Sequence, residues 1–381
     1  MAEPLKAQFG APVVRRLASE IASVHKQFDS RAFQRDALDG FDELELLDRG
    51  RHLGKVLHRH LPDDFGSAID ILLATLPSAR TSEGGMASFF YLPHTEFVRA
   101  YGVPHFEHAM RALHALTQHF TGEFAVRPFF EHHQAATLAR FEMWTRDESE
   151  HVRRLVSEGS RPRLPWAPRL REFQRDPAPV LRLLEWLRDD PELYVRRSVA
   201  NNLNDVGKDN PDLLLSTAER WMTDASAERR WIVKHALRSA VKAGDRRALK
   251  VIGYGSASRL AITASAITPA RPAMGTKVLI TCTVRNPSRT AQRAVIDLRV
   301  HFVKSRGAAN VKVFKLAAVD LAPGASQELR KTVSLADLTT RKHYTGLHLV
   351  ELQLNGAVKP LGAFTIVRRK GWRAASRTAS A

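Results

Sequence analysis

The chain holds a single cysteine, Cys282, in the apolar run VLITCTV. One thiol can form neither an intramolecular disulfide nor a cysteine-based zinc site, so a buried structural thiol in a reducing, cytosolic compartment is expected. No run of 18 apolar residues occurs, and the opening MAEPLKAQFG lacks a basic region followed by an apolar stretch. Neither a membrane span nor a secretory signal is therefore expected. Also missing are a P-loop, a Rossmann fingerprint, a nucleophile elbow and an HExxH helix, which removes the common nucleotide, hydride and metalloprotease chemistries. Histidines are frequent between His94 and His133 but have no carboxylate or cysteine partners at ligand spacing. They are expected on helix surfaces, with no metal and no other cofactor.

Acidic residues are scarce at one end only. Residues 251–381 hold about 21 Lys/Arg against about 5 Asp/Glu, whereas residues 1–250 are balanced to about +2, within a net charge of +18 over 381 residues. Such a footprint suits a polyanion, and nucleic acid is the commonest one in a cytosol. A merely soluble basic domain is the alternative.

The patterning divides the chain. Residues 1–252 read as helical, because APVVRRLASEIASVHKQF, FDELELLDRGRHLGKVLHRHL and FGSAIDILLATL carry apolar residues every three to four positions between Pro and Gly breaks. Later segments repeat. DESEHVRRLVSEG (147–159) and DPELYVRRSVANNLNDVG (190–207) share Val-Arg-Arg-x-Val at an offset of 43, and RRWIVKHALRSAVKAG (229–244) repeats the second copy's apolar spacing and final glycine at an offset of 37. That period predicts HEAT-like helical repeats with a curved inner surface. Residues 253–258 read as a hinge. Residues 259–369 carry about seven short β-branched runs with Pro, Gly and Asn punctuation, which predicts a basic, DNA-contacting immunoglobulin-like β-sandwich, with Tyr344 as its tyrosine corner. The tail 370–381 is basic and apolar-poor, as in disordered segments. The expected fold class is thus multidomain: an all-α HEAT-like solenoid followed by an all-β immunoglobulin-like sandwich.

In LYVRRSVANNLNDVGKDNP (193–211) the dry face is Leu193, Val195, Val199 and Leu203, Asp190-Pro191 is the expected start, and Gly207 the expected stop. Arg197, Asn201 and Asp205 then form one polar stripe at i, i+4, i+8. With that stop, Asp205 sits in the last turn, where a carboxylate is disfavoured by ~0.3–1 kcal/mol. The stripe is either a weakly optimised solvated surface or a working face. Glu158, before Gly159 in RLVSEGSRPRLPW, repeats the misplaced acid, and a proline-fixed loop with Arg161, Arg163 and Trp166 follows it. That tryptophan is a packing residue or a platform for a cation or base. Glu123 in TGEFAVRPFF is a helix-start acid or part of the same site. Arg153, Arg154, Arg196 and Arg197 occupy equivalent repeat positions, where they track phosphates or pair with neighbouring acids.

SEGSRPRLPW together with LYVRRSVANNLNDVGKDNP, on HEAT-like repeats, resembles the bacterial DNA alkylation repair glycosylases of the AlkC/AlkD superfamily. The AlkC branch is the more similar, in its subgroup with an appended immunoglobulin-like domain, and the similarity runs from EPLKAQFG to about residue 250. The resemblance implies a monofunctional, metal-free hydrolase that excises N3-methyladenine and related cationic alkylated bases from duplex DNA, with the base left largely in the stack. It implies an aspartate at Asp205 that supports cleavage, with Trp166, Glu158 and Glu123 lining the same cleft. On this reading Asp205 stabilises the sugar cation and positions water, Trp166 makes the cation–π contact, and the two glutamates add supporting charge. Expected DNA contacts are Arg154, Arg161, Arg163 and Arg197 on the repeats, and Arg306, Arg341, Lys342 and His343 in two loops of a sandwich that closes around the duplex. A bacterial cytosolic monomer, associated with the nucleoid through DNA and with no membrane partner, follows. The competing reading is a non-catalytic module that binds nucleic acid or damaged DNA; a protein-binding scaffold would leave the C-terminal charge unexplained.

Overall fold

A computed structural model describes residues 5–77, 87–255, 258–305, 307, 309–338 and 342–368. The tail 370–381, Arg306, Arg341 and the hinge residues 256 and 257 lie outside the described residues. The chain divides into two compact units, Met1–Thr217 with Thr223–Ala236, and Ala218–Met222 with Leu237–Ala381.

Sixteen α-helices are present among the described residues: α1 (Ala11–Val24), α2 (Ser30–Leu38), α3 (Leu46–His60), α4 (Phe65–Ala74), α5 (Leu92–Tyr101), α6 (Phe106–Thr117), α7 (Arg127–His132), α8 (Gln134–Trp144), α9 (Glu150–Gly159), α10 (Arg171–Arg175), α11 (Ala178–Leu187), α12 (Leu193–Asp209), α13 (Pro211–Met222), α14 (Ala227–Ala236), α15 (Arg238–Ala243) and α16 (Arg246–Val251). None is long and apolar enough to cross a membrane. The apolar spacing is what each helix buries: α1 hides Val14, Leu17, Ala18 and Ile21 and opens with a proline in its first turn. In the first unit α6, α9, α12 and α14 pack side by side in one row, with α8 and α11 behind α9 and with α10 and α11 behind α12. This is the repeat register read from the sequence. His94 departs from the surface role expected of the histidines. It is fully buried in α5, and burial drives its pKa down to about 3.

Helix α12 differs from expectation at both ends. It starts at Leu193 with Glu192 in the capping position, because the Asp190 carboxylate is used by Glu192 N at 2.9 Å and by Arg153 Nε at 2.7 Å. It also runs through Gly207 to Asp209. That glycine is helical, and its missing side chain makes room for Leu214, whose Cδ2 lies 2.2 Å from where a Cβ would stand. Gly244, the matching repeat glycine, does end a helix, in the left-handed conformation with φ 83°. The repeat copy over 229–244 is formed by two helices, α14 and α15.

The second unit holds the seven expected strands: β1 (Ala261–Thr268), β2 (Lys277–Arg285), β3 (Gln292–Val303), β4 (Ala309–Leu321), β5 (Ser326–Ser334), β6 (Gly346–Leu354) and β7 (Ala357–Ile366). They form two antiparallel sheets in the orders β1-β2-β5 and β4-β3-β6-β7, the arrangement of an immunoglobulin-like sandwich. Alternation fills the core: Val278, Ile280, Cys282 and Val284 of β2 face inward, as do Leu298, Val300 and Phe302 of β3. Tyr344 precedes β6 as expected, but what engages it is its carbonyl, which accepts from His348 Nε2 at 3.2 Å rather than its hydroxyl closing a corner. Helices α15 and α16 belong to this unit. Gln353 Nε2 donates to Lys242 O at 3.3 Å, and Gly356 approaches Gly244 so closely that a Cβ would stand 2.5 Å from the Gly244 oxygen.

Candidate active site

Two of the three asparagines of ANNLND, Asn202 and Asn204, are buried, and Asn201 is half-buried. Asn202, on α12, donates from Nδ2 to Ser157 O at 2.7 Å and to Ser160 Oγ at 3.1 Å, at the C-terminal end of α9. Asn204 donates from Nδ2 to Ala236 O at 2.6 Å, the last residue of α14. Terminal carbonyls have no partner within their own helix, so one helix closes the ends of both neighbours. Asn201 Oδ1 lies 3.2 Å from His235 Nε2. The two buried amides, Asn202 and Asn204, fix the spacing of three repeat helices, which is why poor helix formers sit at those positions.

On that frame an alternating chain of carboxylates and cations is assembled. Glu123, in the turn before α7, is reached by Arg154 Nη1 at 3.3 Å, which also donates to Thr121 Oγ1 at 3.0 Å. Arg154 Nη2 lies 3.7 Å from Glu158 Oε1. Arg161 Nη1 donates to the same oxygen at 2.6 Å, and Ser198 Oγ donates to Glu158 Oε2 at 2.6 Å. Arg161 then reaches Asp205 Oδ2 with Nε at 2.8 Å and Nη2 at 2.7 Å. Lys208 Nζ donates to Asp205 Oδ1 at 2.7 Å. Asp205 is 1% exposed. Its helix continues past it, so it stands before the last turn and its cations, not the helix end, set its field.

Glu123 makes no helix cap, since Val126 holds that position. Its burial pushes the carboxyl pKa up, against the opposing pull of Arg154. Burial acts to lower the pKa of Arg161, yet Glu158 and Asp205 hold it above the ordinary value, and Glu123 and Glu158 do the same for Arg154. The expected phosphate contacts Arg154, half-buried, and Arg161, buried, are therefore ion-pair partners of the acids. Arg163 is held by Asp209, with Nε 2.6 Å from Oδ2. Arg153 and Arg196 are structural: each sends Nη1 to the carbonyls six and five residues upstream, Asp147 and Glu148 at 2.8 and 2.9 Å, and Asp190 and Pro191 at 2.7 and 2.6 Å. Arg197 is exposed.

Trp166 lies on the loop that follows Arg161 and Arg163. It is 87% exposed, and its backbone is left-handed, with φ 65°. For a bulky residue that conformation costs about 1–3 kcal/mol. Arg127 suspends its loop: Nε donates to Pro168 O at 2.8 Å, Nη1 to Gly159 O at 3.2 Å and to Arg161 O at 3.1 Å, and Nη2 also to Pro168 O. Burial lowers the pKa of this guanidinium to about 10. Sequence reasoning passed over Arg127, Ser198 and Lys208. Arg127 had one visible signal, a cation at a helix start, where the dipole disfavours it.

In the second unit Lys342 is exposed. His343 is not the contact residue expected: it is buried, its ring 5.1 Å from Phe302, and its backbone N donates to Asp337 Oδ1 at 2.9 Å. Among the described residues no group of three His, Cys, Asp or Glu is placed to hold a metal ion.

Known proteins match this arrangement along almost its whole length. Residues 261–368 match the family described as the C-terminal Ig-like domain of uncharacterised protein YhaZ. Uncharacterized protein YhaZ of Bacillus subtilis (strain 168) is 36% identical over 356 residues, 93% of this chain and 97% of that protein. The solved structure of Pseudomonas fluorescens alkylpurine DNA glycosylase AlkC bound to DNA containing an abasic site analog superposes with a TM-score of 0.89 at 38% identity, covering 96% of this chain and 100% of that one. Identity and superposition thus extend across both units, and the chain belongs to the AlkC family, in the branch that carries a YhaZ-type C-terminal Ig-like domain.

Proposed function

We propose that this protein is a monofunctional DNA glycosylase that hydrolyses the N-glycosidic bond of cationic alkylated purines, N3-methyladenine foremost, in duplex DNA. The observation that carries the reading is the gathering of Glu123, Glu158 and Asp205 into one buried network within a chain of net charge +18. A protein that only binds a polyanion is weakened by acids on its binding face. An enzyme that must stabilise a cation uses them.

Alkylation at N3 places positive charge on the purine, so the base leaves readily and needs little help from a general acid. As the bond breaks, positive charge moves onto the sugar as an oxocarbenium ion, and a water molecule must be held for attack. Asp205 is assigned both tasks, since a carboxylate already oriented in a low-dielectric setting stabilises a developing cation strongly. Glu158 and Glu123 add field from behind it. Trp166 offers its π face to the cationic base. An indole so exposed serves a base at the duplex surface better than one swung into a chamber, which favours cleavage without full base flipping. Arg197 on the repeats and the basic sandwich, with Lys342 exposed, supply the sequence-independent grip on alkylated double-stranded DNA.

The deciding experiment is chromatography of bases released from methylated duplex DNA in the absence of added metal. The wild-type protein is expected to release N3-methyladenine. Asp205→Asn is expected to lose most of that release while still binding DNA in a salt-sensitive manner. No release by the wild type, or full release by the variant, would reject the mechanism.

A further inference from the structure

Both oxygens of Asp205 are engaged and covered. Arg161 holds Oδ2 through Nε and Nη2 at 2.8 and 2.7 Å, Lys208 holds Oδ1 at 2.7 Å, and the residue is 1% exposed. A carboxylate that meets a sugar cation must present an oxygen to it, so one partner has to withdraw.

The two partners are unequal. The Arg161 side chain is 9% exposed and bonded to Glu158 as well, so its departure would strip two buried carboxylates at once. The Lys208 side chain is 45% exposed, and its ammonium has this one ion pair, three residues along the same helix. A lysine is a point charge on a flexible stem that changes partner easily, whereas an arginine fork is committed to its geometry.

We propose that Lys208 is a phosphate-released cover of Asp205, an inference that rests on the glycosylase reading above. In the DNA-free protein the ammonium occupies Oδ1 and masks a negative charge that would repel an approaching polyanion. When the duplex settles, Lys208 leaves Oδ1 for a backbone phosphate. The freed oxygen then faces the sugar, and a cation that would repel the charged base has moved away. One lysine thereby couples backbone contact to exposure of the catalytic carboxylate.

Two measurements test this on the full-length protein. Binding to a duplex carrying an abasic-site analogue is followed against salt for wild type, Lys208→Gln and Lys208→Arg. Single-turnover release from methylated duplex is measured at saturating protein, using duplexes in which one phosphate at a time near the lesion is replaced by an uncharged methylphosphonate. Lys208→Gln is expected to flatten the slope of log affinity against log salt by about one, and to raise release at saturation by up to about fivefold. Lys208→Arg should keep the wild-type slope. One methylphosphonate position should slow wild-type release, and the same substitution should have a smaller effect in Lys208→Gln. The proposal is overturned by an unchanged salt slope in Lys208→Gln, by release falling to the level of Asp205→Asn, or by a methylphosphonate effect equal in both proteins. Absence of release by wild type counts against the glycosylase reading instead, and the salt slope still reports on Lys208.

Discussion

Glu158 and Asp205 share one guanidinium: Arg161 stands 2.6 Å from Oε1 of the first and 2.7 Å from Oδ2 of the second. The two acids come from neighbouring repeats, so this cation sets the distance between them. Removing it leaves two carboxylates buried without their main partner. Arg161→Met is expected to destabilise the protein by about 3–5 kcal/mol. Arg161→Lys can satisfy only one acid at a time, so it should recover part of the stability but little of the base release. Denaturant unfolding and the release assay read the two effects separately; a loss in Arg161→Met below about 1 kcal/mol would show that the pair is not held as described.

Trp166 gives a crossed expectation. Its left-handed backbone suits glycine, and its exposed ring contributes little burial. Trp166→Gly should therefore raise stability by about 0.5–1 kcal/mol while abolishing most release of cationic bases. A packing residue would behave in the opposite way, losing stability on substitution. Thermal unfolding alongside the release assay separates the two.

Asp297 governs a pH effect in the sandwich. It lies at an irregularity of β3, buried, and burial raises its carboxyl pKa to about 6, with Lys315 and Lys242 pulling the other way. A raised folded pKa means that the native state holds its proton longer than the unfolded chain. Its stabilising contribution is thus complete below about pH 4 and is lost as pH rises through about 6. Asp297→Asn should remove this decline and stabilise the second unit by about 2–3 kcal/mol above pH 7. Protection of β3 amides against hydrogen exchange, compared at pH 5 and 7.5, checks it: the wild type should lose protection with pH and the variant should not, beyond the ordinary rise in intrinsic exchange.

The sequence carried the fold further than it carried the site. The seven strands are readable as short β-branched runs between turn residues, most plainly in β2, which buries one face and leaves the other wetter, and the repeats at offsets of 43 and 37 because each copy reuses one apolar spacing. Glu158 and Asp205 stand out in the sequence as acids close to glycines that read as helix stops, and they meet at one guanidinium. What the sequence withheld was partnership. Arg161 and Asp205 are 44 residues apart, and a local reading cannot tell an arginine aimed at phosphate from one aimed at a carboxylate of the next repeat. Gly207 misled for a related reason: as a stop signal it is local, but its purpose is to admit Leu214. Asn202 and Asn204 are held by backbone carbonyls of other helices, which leave no trace in side-chain patterns.

Cys282 has a practical consequence. It faces the sandwich core, and burial pushes its thiol pKa up to about 11, so at neutral pH it stays protonated and shielded from electrophiles. The protein therefore supplies its own unreactive background for maleimide chemistry. A fluorophore attached through Trp166→Cys would be the single label on the molecule, placed where docking of a duplex is expected to change its emission.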